Sequence, residues 1–265
     1  MRLVDVGTGP AVVVIPGVQG RWEWMKPAID ALASACRVVT FSLADEPSCG
    51  AAFDERRGFD CYVEQVQAAM DQAGIDRAAI CGVSYGGLVA AAFAARRPER
   101  TSALVLVSAL PPSWVPDRRV RFYLGAPRLL MPLFMVASLR MYPEIAAAHD
   151  GRLPALRAAA RHGWRVLTHM FDPVRMARRV RLLARADLAG LGGVQAPTLI
   201  VTGEGALDRV VPVGATREYL RLLPQARAAT VERTGHLGLI TRPDAFAAIV
   251  APFVAAGAEG RRRVG

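Results

Sequence analysis

Along both ends of the chain, short runs of Val, Ile and Leu recur without the polar alternation of a half-exposed strand, and a helical pattern follows each run. Ala11-Val12-Val13-Val14-Ile15 is the first, ended by Pro16-Gly17. A strand apolar at every position must be buried on both faces, which requires a mostly parallel sheet with helices covering both sides. The same reading gives helix over 25–33, strand over 37–43, helix over 60–73, strand over 78–82, helix over 85–95 and strand over 103–108. After Pro111-Pro112 the alternation stops for about eighty residues of helical, Arg-rich and Met-rich sequence. It resumes as strand 197–202, helix 213–222, strand 228–231 and helix 243–255. The interruption therefore reads as a helical insertion between two strands of one sheet. The domain expectation is a core of 1–110 and 189–257, an insertion of 111–188, and a frayed tail from Gly257 that leaves 258–265 disordered.

Composition removes other classes. With 52% apolar and 21% charged residues in 265, the chain can bury a sizeable core, which excludes disordered, collagenous and disulfide-scaffold proteins. The most apolar long window, 122–139, is broken by Gly125, Pro127, Arg128 and Pro132, so no spanning helix is expected. The start Met1 to Gly7 lacks a basic region followed by an apolar stretch, which points to a cytoplasmic protein. Cys36, Cys49, Cys61 and Cys81 form no C-x-x-C pair and have no His at ligand spacing. Reduced, partly buried thiols are expected and no metal site. The net charge of +10 is concentrated: residues 111–188 hold 14 Arg against five acids, a net of +9, leaving 19 basic and 18 acidic residues elsewhere. Nucleic-acid binding would need a recognisable module or a stacking platform beside that charge, and neither is present.

Gly82-Val83-Ser84-Tyr85-Gly86-Gly87 sets a serine between an apolar strand and an apolar helix, with glycines two positions before and after it. Such a sharp strand-to-helix turn strains the serine backbone and leaves no room for side chains at the flanking positions, so the hydroxyl stands at the carboxyl end of the sheet. A serine hydroxyl needs a base, itself oriented by an acid. Among four histidines, His149, His162 and His169 lie in the insertion. His236 lies in Gly235-His236-Leu237-Gly238, just past a strand, and at the edge where Ser84 is expected. The acid should follow another strand end. Asp208 fits, on a loop long enough to reach the histidine, while Glu204 sits nearly in line with its strand and is expected to pair with a backbone or arginine group instead.

The order Ser84, Asp208, His236, the G-V-S-Y-G-G turn and the G-H-L-G loop resemble the α/β-hydrolase superfamily over nearly the whole chain. Gly7-Thr8-Gly9-Pro10 before the first Val-rich strand, and the insertion, are similar to its capped esterase, enol-lactonase and haloperoxidase-like branch. A serine at the turn sets the chain apart from the dehalogenases and epoxide hydrolases, which use aspartate there. The resemblance implies a cap inserted after the sixth of the family's eight strands, with the leading antiparallel strands truncated here or reduced to one. It implies an oxyanion hole from the backbone N–H groups of Val18 and Tyr85. Pro16-Gly17 stands where family members usually carry His-Gly, which removes a side chain but neither donor. The implied activity is hydrolysis of a small-molecule ester, thioester or lactone with an apolar acyl portion, without metal or organic cofactor. Carbon–carbon bond cleavage on the same triad and a non-catalytic ligand-binding member are the alternatives. Trp22 and Trp24, directly after the oxyanion segment, and Met131 and Met135 in the cap are candidates to line the acyl pocket, with plain packing the competing role. Arg157, Arg161 and Arg165, and Arg178, Arg181 and Arg185, recur at helical spacing. They form either solvated stripes or a docking face for an anionic carrier or membrane surface.

Overall fold

A computed structural model describes residues 1–259. Seven strands, β1 (Val4–Val6), β2 (Ala11–Ile15), β3 (Arg37–Thr40), β4 (Ala78–Val83), β5 (Thr101–Val107), β6 (Thr198–Thr202) and β7 (Arg227–Thr230), form one sheet in the order β1-β3-β2-β4-β5-β6-β7. Only the β1–β3 pair is antiparallel. The double burial expected from the apolar runs is explicit in β2: Val13 and Ile15 enter one core cluster, Val12 and Val14 the other. Helices α2 (Asp60–Gln72) and α3 (Tyr85–Arg96) line the first cluster, and α1 (Lys26–Leu32) and α11 (Pro243–Glu259) the second. The central strands β2, β4, β5 and β6 are thus sealed on both sides, while the edge strands β1 and β7 stay largely exposed.

Element ends depart from expectation where local chemistry intervenes. β3 stops at Thr40, because β2 gives way to Pro16, which has no N–H for a ladder; Phe41 to Leu43 continue as buried chain outside the ladder, held by Leu43 N–H donating to Gly20 O at 2.8 Å and by Gln65 Nε2 donating to Ser42 O at 2.9 Å. The stretch 213–222 divides into a 3₁₀ turn, Val213–Thr216, and α9 (Arg217–Leu222). The fraying expected from Gly257 does not occur: α11 runs to Glu259, and a Cβ at Gly257 would lie 2.9 Å from Ala103 Cβ and 3.0 Å from Ser102 O, so the helix end is packed against β5. The rest of the expected tail, 260–265, lies outside the described residues. All four cysteines are free and buried, more deeply than expected, with Cys61 the least so, and burial raises their pKa values, that of Cys81 to about 12.

Between β5 and β6, which are neighbours in the sheet, the chain runs through α4 (Arg118–Gly125), α5 (Met131–Ser138), α6 (Tyr142–Ala147), α7 (Arg152–Thr168) and α8 (Pro173–Leu183). This insert has few fully buried residues; Leu182 and Leu183 of α8 join the first core cluster, and specific polar contacts fasten the rest: Trp24 Nε1 donates to His169 O at 3.0 Å, Arg233 Nη2 pairs with Asp150 at 2.7 Å, and Arg179 enters the core outright. No described helix is long and apolar enough to cross a membrane.

Candidate active site

Ser84 follows β4 and precedes α3 at φ 52°, ψ −115°, a backbone conformation that costs a non-glycine residue roughly 1–3 kcal/mol. The surroundings enforce it. Ser84 N–H donates to Val107 O at 2.9 Å, while Ser84 O accepts from Gly87 N–H at 3.0 Å and Leu110 N–H at 3.3 Å. The flanking glycines are needed for approach, not flexibility. A Cβ on Gly86 would stand 2.5 Å from Pro16 O and 2.6 Å from Ile15 O, and one on Gly82 would collide with the backbone of Gly86 and Gly87. Ser84 is buried, and its hydroxyl makes no hydrogen bond among the described residues.

The N–H of Tyr85 is the first of α3 and that of Val18 lies in the loop after β2; neither donates to an acceptor among the described residues. Val18 is oriented from its other side, because its carbonyl accepts from Arg179 Nη1 at 2.8 Å. The Tyr85 ring is buried edge-on to Phe59 and Tyr62, so its backbone rather than its side chain faces the turn's function.

His236 sits on the loop between β7 and the short helix α10 (Gly238–Thr241). That loop is drawn against the end of β6: Glu204 N–H donates to Thr234 O at 2.8 Å, and a Cβ on Gly203 would be 2.5 Å from the same carbonyl. His236 Nδ1 lies 3.4 Å from Asp208 Oδ2, a long contact of the kind that tightens when a reacting group binds. The second Asp208 oxygen accepts from Val210 N–H and Val211 N–H, each at 2.9 Å. Burial alone would raise the Asp208 pKa; the hydrogen bond and charge of His236 and the two N–H groups outweigh it and hold the carboxyl below its ordinary value. Glu204 is occupied elsewhere, its Oε1 accepting from Arg233 N–H at 2.6 Å.

Two residues that sequence reasoning missed adjoin these groups, both from the insert. Glu144, on α6, is buried and its Oε2 accepts from Leu237 N–H at 3.2 Å, next to His236; a Cβ on Gly235 would strike that same oxygen. Its other oxygen has no hydrogen-bond partner among the described residues. Burial pushes its pKa up to about 7, against the opposing pull of the Leu237 N–H and of His236. Arg179, on α8, is fully buried and donates to Asp45 at 2.6 and 3.0 Å, to Glu46 at 2.5 Å and to Val18 O. A Cβ at Gly20, whose φ is +76°, would overlap its guanidinium. The one available signal for Arg179 was Asp45-Glu46 directly after the apolar stretch Phe41 to Ala44, since acids there need a buried counter-charge.

Of the pocket candidates, Trp24 is engaged by the insert, edge-on to His162 and Phe171 at 6.1 and 5.6 Å, and Trp22 packs against the cluster under α1 and α11. Met131 and Met135 are half-buried on α5. The second arginine stripe is not freely solvated: Arg178 faces Glu55 at 3.9 Å and lies over the Phe53 ring, and Arg181 donates to Leu124 O.

The sequence profile described as "Alpha/beta hydrolase family" matches residues 12–249. The chain belongs to that family. Among curated relatives, it is 28% identical to a 2-hydroxy-6-oxo-6-phenylhexa-2,4-dienoate hydrolase from Burkholderia cepacia, over 97% of this chain and 92% of that protein. It is 25% identical to a putative carbamate hydrolase, RutD, from Caulobacter sp., over 94% of each. Among solved structures, the enol-lactonase of Burkholderia xenovorans superposes with a TM-score of 0.76 at 21% identity, covering 95% of both chains. An esterase from Exiguobacterium antarcticum superposes with 0.79 at 17% identity, covering 95% of this chain and 94% of that one. The protein is therefore an enzyme of the α/β-hydrolase fold, whose relatives are hydrolases.

Proposed function

We propose that this hydrolase cleaves esters, thioesters or lactones with an apolar acyl portion through a covalent acyl-enzyme on Ser84. His236, its Nδ1 turned to Asp208, takes the Ser84 proton on Nε2 as Oγ adds to the carbonyl. Asp208 holds the imidazole in that tautomer and stabilises the imidazolium. The N–H groups of Val18 and Tyr85 hold the oxyanion. Collapse of the tetrahedral adduct expels the alcohol or thiol, which takes the proton from His236. Water, deprotonated by the same imidazole, then adds to the acyl-enzyme; the acyl–Oγ bond breaks, the imidazolium returns its proton to Ser84 Oγ, and the acid leaves. The chemistry calls for no metal or organic cofactor.

The observation that carries this reading is the enforced left-handed backbone of Ser84 at the strand-to-helix turn, with its hydroxyl unengaged. A fluorophosphonate probe tests it. Labelling of the native chain that disappears in Ser84→Ala supports the nucleophile; no labelling of folded native protein favours a ligand-binding member without turnover.

One relative supports a second reading. The substrate named for the Burkholderia cepacia protein is an oxo acid without an ester, so its hydrolysis must break a carbon–carbon bond. A panel of graded acyl esters and thioesters set beside a vinylogous oxo acid separates the two: preference for the oxo acid moves this chain to carbon–carbon hydrolysis on the same residues.

A further inference from the structure

The outer face of the insert is unlike the rest of the surface. Of the sixteen large apolar side chains exposed in the described residues, twelve lie in 111–188. They are ordered. On α7, Leu153, Leu156, Trp164 and Leu167, spaced by three, eight and three residues, fall on one side of the helix and are all exposed, Trp164 by 69%. The opposite side of the same helix is already seated inward through Ala155, His162 and Val166, His162 lying edge-on to Trp24. A helix on the surface of a globular protein ordinarily has one apolar face; α7 has two, and only one is used by the fold. α5 repeats the arrangement: Phe134 packs inward on Tyr123 and Phe171, while Leu133 and Val136 are exposed, flanked by exposed Leu129 and Leu139.

Charge indicates what covers these faces. Arg152, Arg157 and Arg161 border the α7 stripe, all are exposed, and none has an ion-pair partner among the described residues. In a symmetric dimer the same patch would meet itself, setting these cations and the insert's +9 charge against one another. An anionic bilayer instead supplies the missing negative charge, accepts the leucines at the acyl boundary, and is the environment in which an exposed tryptophan is favoured.

We propose that the exposed face of α7 docks in the plane of an anionic lipid membrane, with Trp164 and its flanking leucines entering the interface and Arg152, Arg157 and Arg161 meeting the headgroups. Docking does not depend on the hydrolytic reading, and Ser84→Ala should bind as the native chain does.

The test is co-sedimentation with phosphatidylcholine vesicles, with and without one third phosphatidylglycerol, at low and at 1 M salt. The expected result is binding at least tenfold tighter to the anionic vesicles, weakened by salt as the screening length falls to about 3 Å. Changing all three arginines to Gln should weaken it about a hundredfold, from about fivefold per headgroup contact, and remove most of the salt dependence. Leu156→Ser with Trp164→Ser should weaken it at least tenfold. All of these side chains are exposed, and far-ultraviolet circular dichroism matching the native spectrum establishes that the variants fold. Equal binding to neutral vesicles, no binding to either, or variants that bind like the native chain would each overturn the proposal. So would a concentration-dependent dimer that Leu156→Ser with Trp164→Ser dissolves while vesicles are ignored, which would assign the face to a second copy.

Discussion

The sheet core and the insert spend nearly the same kind of residue on opposite tasks. In β2, β4 and β5 the apolar side chains are sealed between two helical layers, and the turns at their carboxyl ends are held by backbone contacts so close that a single methyl group on Gly82 or Gly86 has no place. In the insert many equally apolar side chains face outward, and attachment combines Leu182 and Leu183 of α8, which enter the core, with the polar contacts of Arg179, Glu144 and the Trp24 indole. Chemistry that needs fixed geometry therefore sits on the core, and what the insert adds is positioning and surface. The comparison predicts that losing a core residue of the site costs activity but little stability, and that losing a buried insert residue costs stability first.

The largest effect should come from the core. Ser84→Ala removes nothing that the fold depends on but does remove the proposed nucleophile, so turnover should fall by about 10⁴-fold or more with the thermal midpoint little changed. Asp208→Asn should cost on the order of 10³- to 10⁴-fold by favouring the wrong imidazole tautomer, whereas Glu204→Gln, which touches only Arg233 N–H, should cost far less. Steady-state rates on the best ester of a panel decide this. A reversed ranking of the two acids in folded variants would move the orienting role to Glu204.

Next comes the insert's buried ion cluster. Arg179→Ala leaves Asp45 and Glu46 buried without their counter-charge, a loss of about 3–5 kcal/mol by analogy with other broken buried pairs. Denaturant unfolding measures it. Because the same guanidinium holds Val18 O, the surviving folded fraction should also show a lower kcat at nearly unchanged KM. Loss of stability with full kcat would separate the ion cluster from the oxyanion loop and weaken the link drawn here.

How much of this was readable in the sequence follows the same division. Ser84 was legible because its constraint is local, glycines two residues away on each side, and His236 and Asp208 because each follows a strand recognisable from its own run of apolar residues. The double burial of β2 was legible for the same reason. Glu144 and Arg179 were not: the partners of Glu144 lie 93 residues away and those of Arg179 133 to 161 away, and nothing in the helices that carry them distinguishes an inward cation or acid from a solvated one. The exposed stripe of α7 was hidden differently, since an apolar helix face reads as core until the fold shows that the core is on its other side. The end of α11 was missed because the contact that holds Gly257 comes from β5, more than 150 residues earlier.

The smallest effect, and the most specific to the boundary between the two regions, is in pH. Glu144 stays protonated in the folded chain up to about pH 7, while the unfolded chain releases the proton near 4.5. Between those values the folded state binds the extra proton, so the Glu144 contribution lowers stability as pH rises from about 4.5 to 7, by roughly 3 kcal/mol in all. The groups that act on it from the core are His236, which favours the charged form, and Asp208, which opposes it. His162, buried against Trp24 and held neutral down to about pH 4, works with the opposite sign: its contribution is lost as pH falls from 6.5 toward 4. The two nearly offset each other in the native chain, so the profile of the native protein alone would conceal both. Glu144→Gln keeps an acceptor for Leu237 N–H and removes the titration. Its stability relative to the native chain should therefore rise steadily between pH 4.5 and 7 and level off above that. A difference that stays constant with pH would mean that Glu144 is ionised throughout, paired with His236, and that the insert meets the core through a charge rather than a neutral hydrogen bond.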